Sequence, residues 1–302
     1  MIYKDESLEY LLSLNTHCIR EDYAQYLNGI DIKPMDHKPE IKKHKLGIIV
    51  PNYNNGEWLE RSLGSLLYQT YKNFEIIFID DMSTDNSIEI AKRLLRPQDK
   101  IVELKQKRYN GGARNEGYLH LSEDVEYVYY LDSDDWLTNE HSLETINDNL
   151  NGSPDVLFVG VGADYNGVLR CFYNHIYQDR YEAILGWSGC YGKVIKKELA
   201  MRCLFPEGTL KEDRTQHYKV CLEMTSYKCI QDLIYVWNRN NTHSVTTERT
   251  QKWKTDTIRN WADSIDIYEK YKGKDNKIDQ LLLARIENCK MEVDRKGDEQ
   301  RW

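Results

Sequence analysis

The chain has 302 residues, of which 40% are hydrophobic and 30% charged, a balance ordinary for a protein with a packed core. Its formal net charge of −8 argues against a dedicated nucleic-acid-binding protein, because the phosphate backbone requires a positive surface. The sequence has no run of about 18 apolar residues and no CxxC pair among its seven cysteines, so we expect neither a membrane-spanning helix nor a zinc site or disulfide framework.

Residues 1–44 are predicted to form a helical N-terminal extension and a linker. Leu8 and Leu11 belong to an apolar pattern with helical spacing, and Pro34 and Pro39 mark an extended polar segment. The first residues include acids where a secretory signal would carry bases, which favours a cytoplasmic protein.

Residues 45–248 alternate strands and helices. The apolar runs of strand length are Leu46–Val50, Phe74–Ile79, Ile101–Leu104, Tyr127–Leu131 and Val156–Val159. Helices are predicted between them, with buried leucines from Leu59 to Leu67 and a second helix over Asn86–Leu95. This alternation predicts an α/β fold with right-handed crossovers and a mostly parallel sheet flanked by helices.

Three polar segments follow three of these strands, namely Pro51–Asn54, Asp80–Ser83 and Asp132–Asp135. Ligands of parallel sheets bind beyond the carboxyl ends of the strands, so the fold should bring the three segments together. The three carboxylates of Asp132–Asp135 repel one another unless a cation lies between them. A divalent ion that bridges carboxylate and phosphate oxygens is the usual solution, and an acidic turn that caps the next helix is the alternative.

Residues 249–302 are predicted to be a helical C-terminal region. Ile258, Trp261 and Ile265 lie near one face of a helix, and a second apolar cluster surrounds Leu282. Tail helices of this kind pack on the main domain or mediate homo-oligomers, and the sequence leaves both open.

Five motifs follow one another within residues 46–136, and they are Ile48–Asn54, Ser65–Tyr71, Phe74–Asp85, Asn110–Gly117 and Leu131–Asp135. In this order and spacing they resemble family 2 glycosyltransferases. The resemblance implies a GT-A (Rossmann-like) fold, a UDP-sugar donor, inversion at the anomeric carbon, and Mn²⁺ or Mg²⁺ as cofactor. Oxygen ligands alone do not distinguish the two ions.

The resemblance also implies a set of nucleotide-sugar contacts. Tyr53 would stack on the base and Asp81 would accept the imide proton of uracil, although a core tyrosine is the alternative for Tyr53. Arg114 follows the Gly111–Gly112 turn and would offer a planar donor fork to phosphate or ribose, the alternative being a solvated surface arginine. The remaining predicted contacts are Pro51, Asn54, Asn115, Asp132, Ser133, Asp134, Arg239 and Ser244.

The same resemblance implies metal, base and acceptor residues. Asp135 would bind the metal together with Asp134 and His243. Asp213 would be the general base, with Glu212 as the second candidate, and the alternative is that both acids simply occupy the first turn of a helix. Trp187 would stack on the acceptor, although Gly192 departs from the family pattern there.

The sequence therefore predicts a metal-dependent inverting glycosyltransferase that moves a sugar from a UDP-sugar to a hydroxyl acceptor. A polysaccharide or cell-wall glycan is the favoured acceptor, and a modified DNA base is a further candidate. The alternative function is a non-catalytic scaffold of the same fold that binds a nucleotide-sugar or a glycan.

Overall fold

The computed structural model describes residues 42–242 and 251–298 of the chain. The predicted N-terminal extension lies outside these residues apart from its last three positions, and so do His243 and Ser244. All of the described residues belong to one compact unit, Lys42–Trp302.

A nine-stranded sheet runs through this unit. Its strands are β1 (Leu46–Asn52), β2 (Phe74–Asp80), β3 (Lys100–Glu103), β4 (Tyr127–Tyr130), β5 (Trp136–Leu137), β6 (Val156–Tyr165), β7 (Val168–Tyr173), β8 (Lys193–Lys196) and β9 (Tyr227–Asn238). The order across the sheet is β3-β2-β1-β4-β8-β6-β9-β5, and β7 pairs with β6.

The helices cover the sheet and extend beyond it. They are α1 (Gly56–Leu67), α2 (Ser87–Leu94), α3 (Tyr109–Leu119), α4 (Ser142–Asn149), α5 (Arg180–Leu185), α6 (Lys197–Arg202), α7 (Glu212–Glu223), α8 (Gln251–Tyr271) and α9 (Asn276–Asp298). A 3₁₀ turn at Cys190–Gly192 precedes β8.

The first half of the sheet, β3-β2-β1-β4, is parallel throughout. Every residue of β1, β2 and β4 is buried. Continuous apolar strands of this kind are what a sheet covered on both faces requires, which is why the apolar runs of the sequence coincide with the observed strands. The predicted α/β class is confirmed.

The second half of the sheet is mixed, so the expectation of a mostly parallel sheet holds only as far as β4. Strand β8 runs antiparallel to both β4 and β6, whereas β6 and β9 are parallel to each other. A tight Asn166–Gly167 turn with positive φ at both residues joins β6 to β7. Asn-Gly turns of this type favour a two-residue antiparallel hairpin over a crossover.

The predicted C-terminal helices are present as α8 and α9, which pack against each other, and α8 also packs on α7. Ile267 and Tyr271 of α8 and Leu282 of α9 are buried in the common hydrophobic core. No described helix is both long and apolar enough to cross a lipid bilayer.

Candidate active site

A cleft of about 570 Å³ opens at the carboxyl ends of β1, β2 and β4, where the sequence predicted the ligand site. The cleft is lined by Pro51, Tyr53, Asn55, Asp81, Lys107, Tyr109, Asn110, Arg114, Asp132–Asp135, Tyr191, Thr209–Asp213, Trp237, Asn241 and Lys252. The three predicted polar segments therefore converge, because parallel strands end at the same edge of a sheet.

The acidic turn between β4 and β5 divides into a buried and an accessible part. Asp135 is 2% exposed, and its carboxylate accepts hydrogen bonds from the Tyr235 hydroxyl and from the Asn238 amide at 2.7 Å. Asp134 is less buried and accepts one hydrogen bond, at 2.8 Å, from the side chain of Asn241. Each oxygen of Asp135 thus accepts one hydrogen bond within the fold and keeps a second lone pair, so Asp135 as the principal metal ligand stays a prediction.

The pKa values of this turn reflect burial and mutual repulsion. Burial raises the pKa of Asp134 to about 6, and the charge of Asp132 adds to the shift. Burial, reinforced by the charges of Asp134 and Asp132, raises the pKa of Asp135 well above its usual range. Both shifts have the direction expected where burial and neighbouring acids disfavour the ionised form, and a nearby cation would oppose them.

Arg114 on α3 is 1% exposed and binds three carboxylates. One of its terminal nitrogens donates to Asp132 at 2.6 Å, and the other donates to Glu212 at 2.7 Å and to Asp213 at 3.2 Å. The predicted role as an open fork for phosphate or ribose is therefore corrected. A fully buried guanidinium requires such partners, and here they link the acidic turn to the start of α7.

Glu212 and Asp213 occupy the first turn of α7 but differ in accessibility. The side chain of Glu212 is 6% exposed, whereas that of Asp213 is 31% exposed and faces the cleft. Burial raises the pKa of both carboxyl groups, and in Glu212 the charge of Asp213 adds to the shift. The Arg114 guanidinium opposes the shift in each case.

Tyr53 directly follows β1 and Asp81 directly follows β2, and both residues line the cleft. Asp81 accepts hydrogen bonds from the amides of Arg108 and Tyr109 at 2.7 and 2.8 Å, and so holds the start of α3. The ammonium of Lys107 lies 3.3 Å from Asp81 and 2.6 Å from the centre of the Tyr53 ring. Tyr53 is 46% exposed, which excludes the alternative of a core tyrosine.

Four predicted contacts do not line the cleft. Asn54 accepts from the Thr84 amide on the exposed surface, and Asn115 is buried, where it bonds to the backbone of Phe205. Arg239 is exposed and stacks on Trp237. Trp187 packs edge-on against Tyr191, and it is Tyr191 that lines the cleft. The assignments of Asn54, Asn115 and Trp187 are corrected, since each side chain is engaged elsewhere in the fold. Arg239 lies over Trp237, which lines the cleft, and its contact with the diphosphate stays a prediction.

The glycines singled out in the sequence serve close packing. Gly111 and Gly112 lie inside the first turn of α3, not in a turn before it. A Cβ atom on Gly111 would lie 2.5 Å from the carbonyl oxygen of Pro206 and 3.1 Å from Cβ of Glu212. A Cβ on Gly192 would lie 3.0 Å from the ring of Trp187, so a larger residue there would require that ring to shift.

Several cleft residues escaped the sequence interpretation, among them Asn55, Tyr109, Tyr191, Trp237, Asn241 and Lys252. Lys107 lies in a short basic stretch with Lys105 and Arg108, and the sequence alone does not distinguish such a stretch from ordinary surface charge. Lys252 reaches the cleft from α8, far along the chain from the five motifs, and no motif flanks it. Trp237 lies two residues before the predicted contact Arg239, and that proximity was the available signal.

Solved structures with a similar fold are glycosyltransferases. Residues 1–349 of TarS from S. aureus, in complex with UDP-GlcNAc, align with a TM-score of 0.65 at 20% identity, over 81% of this chain and 72% of that one. The mannosyltransferase PcManGT from Pyrobaculum calidifontis, in complex with GDP-Man and Mn²⁺, aligns with a TM-score of 0.54 at 17% identity, over 92% of this chain and 79% of that one. The fold is therefore that of a GT-A glycosyltransferase.

The family follows from the sequence comparison. The family model "Glycosyl transferase family 2" matches residues 47–209, more than half of the chain, so the protein belongs to this family of glycosyltransferases. Glycosyltransferase GlyA of Streptococcus pneumoniae is 30% identical over 69% of the chain, a match that spans 32% of GlyA. GlyG of the same organism is 26% identical over 73% of the chain and 79% of GlyG.

A third relative carries a more detailed name. Poly(ribitol-phosphate) beta-N-acetylglucosaminyltransferase TarP of Staphylococcus aureus is 41% identical over 34% of the chain, a match that spans 32% of TarP. As with GlyA, the chain thus covers about a third of the relative's length.

Proposed function

We propose that the protein transfers a sugar from a UDP-sugar to a hydroxyl group, with inversion at the anomeric carbon and with Asp213 as the general base. One observation carries the proposal: a single cleft holds an accessible acidic turn on one wall and the first turn of α7 on the other. Arg114 contacts both walls through Asp132 and Asp213. An inverting transfer needs this division, because the base approaches the anomeric carbon from the side opposite the leaving diphosphate.

Asp213 suits the base role better than Glu212. It has the larger exposed fraction, and its contact with Arg114 is longer, at 3.2 Å against 2.7 Å. Its raised pKa makes it a stronger base than a free aspartate, and Arg114 keeps it oriented. Glu212 is held more tightly by Arg114, at 2.7 Å, and we propose that its role is to keep Arg114 in position.

The charges of the cleft favour a divalent cation. Its acidic residues are Asp81, Asp132, Asp134, Asp135, Glu212 and Asp213, against the basic residues Lys107, Arg114, Lys211 and Lys252. A diphosphate would add further negative charge. No set of three acidic, histidine or cysteine side chains in the described ranges is arranged to hold a metal by itself. This arrangement suits Mg²⁺ or Mn²⁺, which commonly bind through one or two carboxylates plus substrate phosphates.

We assign the metal to Asp134 and Asp135, with Asp132 beside them, and His243 remains a prediction outside the described residues. When bound, Mn²⁺ or Mg²⁺ would neutralise the diphosphate and act as a Lewis acid on the leaving group. Asp135 also holds the turn against β9, through Tyr235 and the backbone amide of Asn238.

The nucleotide end of the cleft suits UDP. Tyr53 presents a partly exposed ring for stacking, and Lys107, now over that ring, can move onto a phosphate. Each carboxylate oxygen can accept two hydrogen bonds, so Asp81 can receive the uracil imide in addition to the two amides. The similar fold of TarS binds UDP-GlcNAc, which supports the same donor class here.

The acceptor end is aromatic. Tyr191, stacked on Tyr235 with ring centres 4.3 Å apart, and Trp237 line the same cleft as Asp213. Rings in this position suit the apolar face of a sugar, and they replace Trp187 as the proposed acceptor platform. A polysaccharide or cell-wall glycan is therefore the favoured acceptor, in keeping with the polymer named in TarP.

Release of UDP tests the proposal directly. The protein is incubated with UDP-GlcNAc, UDP-GalNAc, UDP-glucose or UDP-galactose in Mn²⁺, with and without cell-wall polysaccharide, and with GDP-mannose as the control donor. We expect UDP release from at least one UDP-sugar, stimulated by acceptor and abolished by EDTA. Measurable UDP binding without turnover of any donor would instead support the non-catalytic scaffold.

A further inference from the structure

The C-terminal helices hold the segment that carries the proposed base. We propose that Asp256 and Asn260 of α8 are positioning residues for Asp213, acting on the backbone of residues 208–211. The inference rests on the proposed function, because it concerns how the base is held in position relative to the donor. The family match ends at residue 209, so the inference gives a role in catalysis to a region outside that match.

Hydrogen bonds from α8 fix consecutive backbone groups of this segment. The carboxylate of Asp256 accepts from the Leu210 amide at 2.8 Å, and Asn260 donates to the Lys211 carbonyl at 3.2 Å. Lys252 donates to the Gly208 carbonyl at 2.5 Å and pairs with Asp256 at 3.2 Å. Asp256 and Asn260 are buried, so these bonds are shielded from water and the carboxylate bond is charge-assisted.

The start of α7 depends on these outside contacts. Lys211 is the N-cap residue of α7, and its side chain makes no capping hydrogen bond. A helix start without a side-chain cap leaves amide groups that must find other partners, and its direction is weakly determined by local sequence. Here α8 sets the direction through its hydrogen bond to the backbone of Lys211, which lies one residue before Glu212 and two before Asp213.

Further contacts extend the same attachment along α7. Thr215 donates to Asp263 of α8 at 3.3 Å. Glu292 of α9 lies 3.3 Å from Arg214 and 3.7 Å from Lys211. The first turn of α7 is therefore attached to both C-terminal helices.

The opposite side of the segment is closed by α3. The backbone of Gly111 approaches the Pro206 carbonyl and Glu212 so closely that a Cβ atom would collide with them. Residues 206–212 are thus held between α3 and α8. If the α8 contacts were lost, the segment could move only away from α3, which would withdraw Asp213 from Arg114 and from the donor side of the cleft.

Matched variants at position 256 separate the proposed role from a general structural one. Asp256→Asn keeps an oxygen that can accept from the Leu210 amide, whereas Asp256→Leu removes the acceptor at similar size. Asp266→Leu, at an exposed position of the same helix, is the control. Steady-state kinetics of the full-length protein give kcat and the KM of the donor, and hydrogen–deuterium exchange reports on residues 208–213.

We expect Asp256→Leu to lower kcat by about 10²-fold, the size of effect that an ångström-scale misplacement causes, with the donor KM little changed. Exchange at residues 208–213 should be faster in that variant. Asp256→Asn should keep most of the turnover and the slow exchange, and Asp266→Leu should match the wild type. Equal losses in the Asn and Leu variants, or unchanged exchange in Asp256→Leu, would overturn the proposal.

The exchange comparison and a second variant keep this inference separate from the proposed function. If the wild type turns over no donor, the proposed function fails, and the exchange comparison alone reports whether α8 orders the segment. If Asp256→Leu does not fold by circular dichroism, Asn260→Ala takes its place. It removes the donor to the Lys211 carbonyl and also the oxygen that accepts from Arg285 of α9 at 3.1 Å. Unaltered kcat and exchange in Asn260→Ala would then contradict the proposal.

Discussion

Arg114 shows how one buried charge organises this cleft. Its guanidinium is almost completely removed from water, which would be very unfavourable without its carboxylate partners. Those partners come from the turn after β4 and from the start of α7, so the arginine sets the distance between the two walls. Asp213 is the most exposed of these three carboxylates, and its substitution is the most informative at this scale.

Asp213→Asn should lower kcat by about 10²–10⁴-fold, the usual contribution of a general base. The amide can still accept from Arg114, so we expect the fold and the affinity for UDP to be nearly unchanged. Initial rates of UDP release and calorimetric titration with UDP measure the two quantities. Glu212→Gln is the comparison and should retain more turnover; if Asp213→Asn remains fully active, the base lies elsewhere.

Asp155, outside the cleft, links stability to pH. Partial burial acts to raise the pKa of Asp155, but hydrogen bonds from Thr225 and the nearby Lys196 ammonium lower it to about 2. Because the folded-state pKa lies below the unfolded value, the ionised form stabilises the fold above the unfolded pKa, and this contribution disappears as the pH falls toward the folded pKa.

Asp155→Asn should therefore be less stable than the wild type by a constant amount at neutral pH. The difference should shrink from about pH 4 to about pH 2, as the wild-type carboxylate becomes protonated. Urea unfolding at a series of pH values measures it, with the exposed Asp266→Asn as control. A difference that grows toward low pH would contradict the assignment.

At the scale of elements, helix α3 supports the cleft by close backbone packing. Gly111 faces backbone and a Cβ atom of the segment before α7, neither of which is the flexible end of a side chain. Gly64 in α1 has open space around it instead, with no atom within 4 Å of the position that a Cβ atom would take. The two glycines therefore form a matched pair for the same substitution.

Gly111→Ala should destabilise the protein by about 1–3 kcal/mol, the usual cost of overpacking, and should reduce turnover because residues 206–212 must shift. Gly64→Ala should stabilise it by up to about 1 kcal/mol, since alanine loses less backbone entropy in a helix. Urea unfolding and UDP-release rates measure both variants. A stable, fully active Gly111→Ala would show that the contact with α7 is not needed.

For the molecule as a whole, the cleft collects more acidic than basic side chains and yet is proposed to bind a diphosphate. The described fold resolves part of this imbalance through Arg114 and through hydrogen bonds to Asp135. Burial and the neighbouring acids raise the pKa of Asp134 to about 6 and that of Asp135 well above its usual range, so a nearby cation would stabilise the ionised form of both.

Asp134→Asn should weaken UDP binding in Mn²⁺ by about tenfold or more, because the cation that offsets the diphosphate charge is lost. The same titration in EDTA should bring the wild type down to the level of the variant. Asp124→Asn, at an exposed ion pair with Lys45, is the control and should bind UDP normally. Metal-independent UDP binding by the wild type would exclude this assignment.

Local patterns were sufficient to predict the parallel half of the sheet and the position of the cleft. Continuous apolar runs mark strands covered on both faces, and parallel strands bring the residues after their ends to one edge. The acidic turn, Asp81 and Tyr53 could therefore be assigned to the cleft from sequence. The helical nature of the C-terminal region was also evident from its periodicity.

Only the tertiary structure decided which side chains are available within that cleft. Arg114 is occupied by Asp132, Glu212 and Asp213, the last two of which lie 98 and 99 residues away in the chain. Tyr191 rather than Trp187 lines the cleft, and α8 attaches to the segment before the proposed base. Exposure and partner choice depend on segments that are distant in sequence, and no local periodicity encodes them.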